Sequence, residues 1–228
     1  SPVDQVLIDL VCELIRDPQM VQDPARLAEM LALPQDNILW DVFQPADPQA
    51  ILSARKHLRQ ALADGASKYW KILFETMMPE GPSQPEASAI GRRSLAVTAL
   101  AYLAKIEPVD TILEDLFTNA SNLTERFAAY RIARSDAAPE LSDALSQKFL
   151  DGADTDEVLD LWLSTEATNE RTATIERVRE LTEHERFEWT NPNRVRAVLG
   201  AFANRNVEAF YSADGYRMLA DSVLKLDA

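Results

Sequence analysis

Residues 191–203 read NPNRVRAVLGAFA, and this stretch contains the signals that set the fold class. Asn191 stands before Pro192, which places a capping side chain directly ahead of a proline at the first position of a helix. Val195, Val198, Leu199 and Phe202 then recur at three- and four-residue spacing, the period of one helical face. The same pattern repeats outward along the chain. Asp23-Pro24 and Asp47-Pro48 are further cap-proline pairs, while Asp154 with Glu157 and Asn122 with Glu125 have the spacing of a capping box.

Apolar residues at helical spacing follow almost everywhere. Val3, Val6, Leu7, Leu10, Val11, Leu14 and Ile15 mark a first face, closed at Asp17-Pro18. Ile51 to Met77 marks a long second helix, loosened at Gly65, and Leu95, Leu100 and Leu103 with intervening alanines mark a closely packed third. Six glycines and no clear period-two alternation argue against sheet. The expected fold is all-α, a superhelical stack of antiparallel helix pairs of HEAT or armadillo type, although no fixed-period repeat is visible. Residues 1–228 are expected to form a single helical domain, with a long loop at 79–88 around the stretch PEGPSQP. The last helix is still periodic at Leu224 and Leu226, and the chain opens on Ser1 rather than methionine, so a piece of a longer protein is expected. Leu219, Val223, Leu224 and Leu226 are then expected to lack part of their cover and to promote association.

Composition narrows the function classes. The chain carries 37 Asp and Glu against 23 Lys and Arg, a formal charge of −14, which argues against nucleic acid, whose binding needs a basic face. The one cysteine, Cys12, provides no disulfide framework and fits a reducing, cytoplasmic setting. No apolar run approaches the ~20 residues of a membrane helix, so no membrane partner is expected. His184-Glu185 begins like H-E-x-x-H, but the fifth residue is Glu188, and His57 is the other histidine, on another helix. A zinc site lacks its ligands, and no metal site is expected. No glycine-rich phosphate loop occurs. Cys12 reads as a small hydrophobe, and Trp40, Trp70, Trp162 and Trp189 read as core anchors.

One segment departs from this pattern. Arg194 and Arg196 stand in or beside the first turn of the helix after Pro192, where the macrodipole favours acids instead. Free backbone N–H groups with a nearby guanidinium suit an anionic or carbonyl ligand. The alternative is that both arginines pair with the abundant acids.

The same segment, with Asn206, Phe210, Asp214, Gly215 and Tyr216 beyond it, closely resembles the C-terminal helical domain of bacterial aminopeptidase N, a gluzincin-type zinc metallopeptidase. RRSLAVTALAYL (Arg92 to Leu103), NASNLTERFAAYR (Asn119 to Arg131) and TIERVRELTEHERF (Thr174 to Phe187) resemble successive stretches of that domain. Tyr211 stands where the family more often has histidine, and the Asp214-Gly215-Tyr216 turn is shorter than usual. The family's H-E-x-x-H and Gly-x-Met-Glu-Asn motifs, which belong to a preceding catalytic domain, are missing from these residues. The resemblance implies a lid over an enclosed chamber that controls access of peptide substrates, with Asn191, Asn193 and Arg194 as chamber residues, while Arg196 keeps the reading of an arginine paired with acids. It further implies zinc in the parent's catalytic domain, that domain of the same chain as partner, and no cofactor or activity in this fragment alone. The competing expectation is a free-standing helical-repeat adaptor that binds a protein partner.

Overall fold

The computed structural model describes residues 3, 5–34, 36–78, 81 and 86–227, without the side chains of Asp36 and Asn37. Among these residues every regular element is helical. In chain order they are α1 (Gln5–Arg16), α2 (Pro18–Gln22), α3 (Pro24–Leu31), α4 (Asp36–Val42), α5 (Pro48–Gly65), α6 (Ser67–Met77), α7 (Ala87–Leu103) and α8 (Asp110–Thr118). There follow α9 (Leu123–Asp136), α10 (Pro139–Asp151), α11 (Asp156–Thr168), α12 (Ile175–Thr182) and α13 (Pro192–Val195). A π turn at Arg196–Gly200, α14 (Ala201–Arg205), α15 (Val207–Phe210) and α16 (Ala213–Leu226) complete the chain. The chain divides into two compact units, one of residues 1–35 and 53–141, the other of residues 36–52 and 142–228. The expected loop at 79–88 closes early, because α7 begins at Ala87; residues 79, 80 and 82–85 lie outside the described residues.

The caps follow the sequence closely. Asp23 Oδ1 accepts from Arg26 N at 3.2 Å and Asp47 Oδ1 from Ala50 N at 3.0 Å, each just before a proline. Two details differ. Thr155, not Asp154, caps α11 by accepting from Val158 N, so no capping box forms there. At α9, Asn122 Oδ1 accepts from Glu125 N at 3.0 Å, but the Glu125 carboxylate turns back to Ser121 N instead of to the cap residue's own N–H.

In the first unit α7 is the hub, packed against α6, α3 and α9. Leu95, Ala96, Ala99 and Leu100 are fully buried. Gly91 lets α3 come close, since a Cβ there would stand 3.0 Å from the Ala25 backbone nitrogen. Trp70 is fully buried, stacks on Tyr102 with ring centroids 4.4 Å apart, and donates its indole N–H to Ala63 O. The Tyr102 hydroxyl donates to Leu31 O at 2.8 Å, so the stacked pair also ties α3 to α7. The long second helix of the sequence reading is broken into α5 and α6 at Ala66. Gly65 stands at the break, against Ile8 of α1, where an added Cβ would run into Ile8 Cγ2. Only Val11 and Ile15 of the expected α1 face are buried, whereas Val6, Leu7 and Leu10 are exposed.

Two ion pairs fix α7 against α9. Arg93 Nε meets Glu125 Oε1 at 2.8 Å near the starts of these helices, and Lys105 Nζ meets Asp136 Oδ1 at 2.7 Å at their ends. Start meets start and end meets end, so α7 and α9 run in the same direction, with α8 returning the chain between them.

In the second unit α11 packs against α12, α13, the π turn and α14. Leu163, Val198 and Phe202 are fully buried. Asn206 caps α15 through Ala209 N and donates to Ala167 O at 3.1 Å and Ala173 O at 2.8 Å, joining three segments through one side chain. Of the four tryptophans, Trp70 and Trp162 are buried, while Trp40 and Trp189 are half-buried. The helix α16 buries Gly215, Met218 and Ser222, while Leu219 is half-buried and Val223, Leu224 and Leu226 are exposed.

Glu125 makes the first unit pH-sensitive. Burial by itself raises its pKa, but the bonds from Arg93, Ser121 and Asn122 prevail and bring it below the ordinary 4.5. A depressed carboxylate stabilises the fold above its unfolded pKa, and that contribution is lost as pH falls through the folded value. Urea unfolding at neutral pH should therefore show Glu125→Gln less stable by about 2 kcal/mol. Between pH 6 and 3.5 the variant should lose less stability than the parent chain. Equal slopes for the two proteins would contradict this assignment.

Candidate functional site

The NPNR segment forms a short, fully committed structure. Asn191 Oδ1 accepts from Asn193 N at 3.0 Å and Arg194 N at 3.3 Å, so two of the N–H groups at the start of α13 already meet an acceptor. The helix is four residues long before the π turn takes over. An anion site built from this helix start, one of the two readings open in the sequence, has lost these donors to the Asn191 cap.

The Arg194 side chain turns back onto α11. Its Nη2 donates to Asp156 Oδ1 at 2.7 Å, and its Nη1 donates to Asp160 Oδ1 and to Asp156 O, the last at 3.2 Å. Asp156 and Asp160 are one turn apart, so both carboxylates point from the same face of α11. The Arg194 side chain is 3% exposed, against 22% for Asp160 and 73% for Asp156. The Asp160 pKa stands above the ordinary 3.8: burial is the largest cause, Asp156 and Glu157 add to it, and the Arg194 guanidinium opposes them. Arg194 Nε is buried without an acceptor. Arg196, by contrast, is exposed and donates to Asn193 Oδ1 at 3.4 Å. The three residues assigned to a substrate chamber are thus brought together, and each has a partner within the chain.

Directly beyond lies the π turn Arg196–Gly200, which buries Ala197, Val198 and Leu199. Such single turns insert one residue into a helix and occur often beside functional sites. The sequence carries no signal for this one, because the apolar spacing fits an ordinary helix equally well. A second polar cluster, also missed, lies on the other side of α11. Glu166 is fully buried and accepts from Ser146 Oγ at 3.0 Å and Arg177 Nη2 at 3.2 Å, while Ser146 Oγ accepts from Trp162 Nε1.

Among the described residues no three His, Cys, Asp or Glu side chains are placed to hold an ion. His184 Nδ1 accepts from Arg186 N at 3.2 Å, and its ring lies 5.4 Å from Trp162. Burial holds the His184 pKa down. His57 is exposed on α5.

The arrangement around Arg194 predicts an order of stabilities. Arg194→Ala leaves the partly buried Asp160 unpaired and opens a cavity, and should cost about 3 kcal/mol. Asp160→Asn should cost an intermediate amount, because the guanidinium it meets stays buried but the amide oxygen can still accept from it. Asp156→Asn should cost no more than about 1 kcal/mol, since that carboxylate is mostly in water. Denaturant midpoints of the three variants check this, and similar losses for Asp156 and Asp160 would contradict it.

Comparison with known proteins gives a consistent result. The family described as "Domain of unknown function (DUF3458_C) ARM repeats" matches residues 1–228. Aminopeptidase N of Caulobacter vibrioides is 34% identical over 212 residues, which are 90% of this chain and 24% of that protein. Aminopeptidase N of Escherichia coli K12 is 32% identical over 211 residues, again 90% of this chain and 24% of that protein. The chain thus spans about a quarter of the length of the curated relatives it matches. A crystal structure of Legionella pneumophila aminopeptidase A in complex with aspartic acid shares the fold, with a TM-score of 0.84 and 24% identity over 99% of this chain and 28% of that one. The resemblance read from NPNR to GAFA is borne out, and the ARM repeats agree with the all-α, armadillo-like expectation. Along its whole length, the chain belongs to the DUF3458_C family of ARM-repeat domains.

Proposed function

We propose that this chain is the access domain of a cytoplasmic zinc-dependent aminopeptidase, which removes N-terminal residues from peptides. The observation that carries this reading is the 34% identity to aminopeptidase N over 90% of the chain. In this reading zinc and the bond-breaking groups belong to the catalytic portion of the parent chain, which this domain partners. The role of the helices here is to close a chamber and select peptides by size. On its own the chain has no hydrolytic activity.

In this reading Asn191, Asn193 and Arg194 border the chamber, with Arg194 held in place rather than swinging free. Asp160 anchors the inner side of its guanidinium, whereas the Asp156 carboxylate on the outer side is 73% exposed. A peptide carboxylate arriving from solvent can take the place of Asp156 on Nη2 while Asp160 keeps the guanidinium in position. Such a charge-assisted bond is worth about 1.5–3 kcal/mol where water is excluded. A short aminoacyl arylamide carries no group to make it.

The test uses the parent enzyme at matched metal content. Arg194→Ala should lower kcat/KM for tri- and tetrapeptides roughly tenfold, mainly through KM, while sparing an aminoacyl arylamide. Asp156→Asn should leave both substrates within a factor of about three. Equal losses on peptide and arylamide for Arg194→Ala would reduce Arg194 to a support of the fold. Hydrolysis of the arylamide by the 228-residue chain alone would overturn the access reading.

A further inference from the structure

The ion pairs Arg93–Glu125 and Lys105–Asp136 lie at either end of a trough on the surface of the first unit. Two cavities of about 440 and 580 Å³ lie along it, and they share Val97, Thr98 and Arg131. The floor is the outward stripe of α7, with Ser94, Val97, Thr98 and Ala101 a turn apart and too small to fill the gap to α9.

The lining changes character from one end to the other. At the end nearer the start of α7 stand Ile90, which is 53% exposed, and the half-buried Phe127. At the other end are Arg59 and Lys105, with Arg131 between the two ends and Asp136 as the single acid in the lining among the described residues. In this cavity bases outnumber acids three to one among the described residues, in a chain where acids outnumber bases 37 to 23. Arg59 and Arg131 are both exposed, and the Arg131 guanidinium reaches over the Phe127 ring at 6.0 Å. The hydroxyls of Thr98 and Ser135 donate to the backbone carbonyls of Ser94 and Arg131, which leaves their oxygens to accept.

We infer that this trough binds an extended peptide segment, its carboxylates at Arg59, Lys105 and Arg131 and an apolar side chain at Ile90 and Phe127. The length fits: from Ile90 to Ala101 the helix rises about 16 Å at ~1.5 Å per residue, the span of about five extended residues. A small free dicarboxylate would satisfy the cations and leave the apolar end uncovered. Peptide N–H groups meet the accepting hydroxyls between the two ends. The inference rests on the first unit alone and stands whether or not the aminopeptidase reading holds.

Calorimetric titration of the whole chain at low salt provides the test. The probe is acetyl-Leu-Ala-Ala-Glu-Glu, in this order and reversed. Its Gln-Gln counterpart and free glutarate are the comparisons. The acidic peptide should bind in at least one direction roughly tenfold more tightly than the Gln-Gln peptide and than glutarate, and should weaken severalfold on adding salt. The double variant Arg59→Gln/Arg131→Gln should lose roughly tenfold in affinity, and Ile90→Ser severalfold, with each variant still folded by circular dichroism at the temperature of the titration. Failure of the acidic peptide to bind in either direction would overturn the inference. Equal binding of glutarate or of the Gln-Gln peptide would do so as well, as would a double variant that binds like the parent chain.

Discussion

A guanidinium taken out of water must be met by carboxylates, and the interior of each unit is organised by how that requirement is satisfied. Arg93 is buried and bonded to Glu125, which in turn takes Ser121. Arg194 is buried and bonded to Asp156 and Asp160. Burying either partner alone would cost several kcal/mol, so each pair allows one arrangement of its helices and penalises the others. Apolar packing supplies most of the driving force but little direction. Stripes such as Leu95, Ala96, Ala99 and Leu100 tolerate small slips, whereas a buried guanidinium bonded to a carboxylate on a neighbouring helix does not.

This division explains what the sequence reveals. Most local signals read correctly: the cap-proline pairs at Asp23, Asp47 and Asn191 all start helices, and Leu95, Leu100, Leu103, Val198, Leu199 and Phe202 are buried. Signals that depend on a distant partner did not. The acids that meet Arg194 lie 34 and 38 residues away on another helix, and with 37 acids in the chain nothing singles them out. The exposed side of α1 is apolar enough to predict burial, yet Val6, Leu7 and Leu10 remain in solvent. The π turn after Arg194 keeps the hydrophobic spacing of an ordinary helix, so periodicity does not reveal it.

The geometry also revises what an NPNR segment does. Two arginines at a helix start resemble an invitation to an anion, but the Asn191 side chain already serves the first N–H groups, and α11 already serves Arg194. What remains for a ligand is the solvent side of one ion pair, at Asp156. The reversed charge of the trough between α7 and α9 is a different feature, since its cations line an open surface rather than a closed core. The same residue types thus serve two purposes in one acidic chain: buried, they fix register, and exposed, they mark a surface suited to acids.

Whether Arg194 is fixed by α11 or free to sample solvent is the central claim, and its side-chain Nε–H signal reads this most directly. That group is buried with no acceptor, so NMR of the 228-residue chain should show it exchanging with water far more slowly than the Nε–H of the exposed Arg196 and Arg217. The signal should also stay unmoved by added salt. An Arg194 Nε–H that exchanges as fast as those of Arg196 and Arg217, and that shifts with salt as they do, would contradict the account.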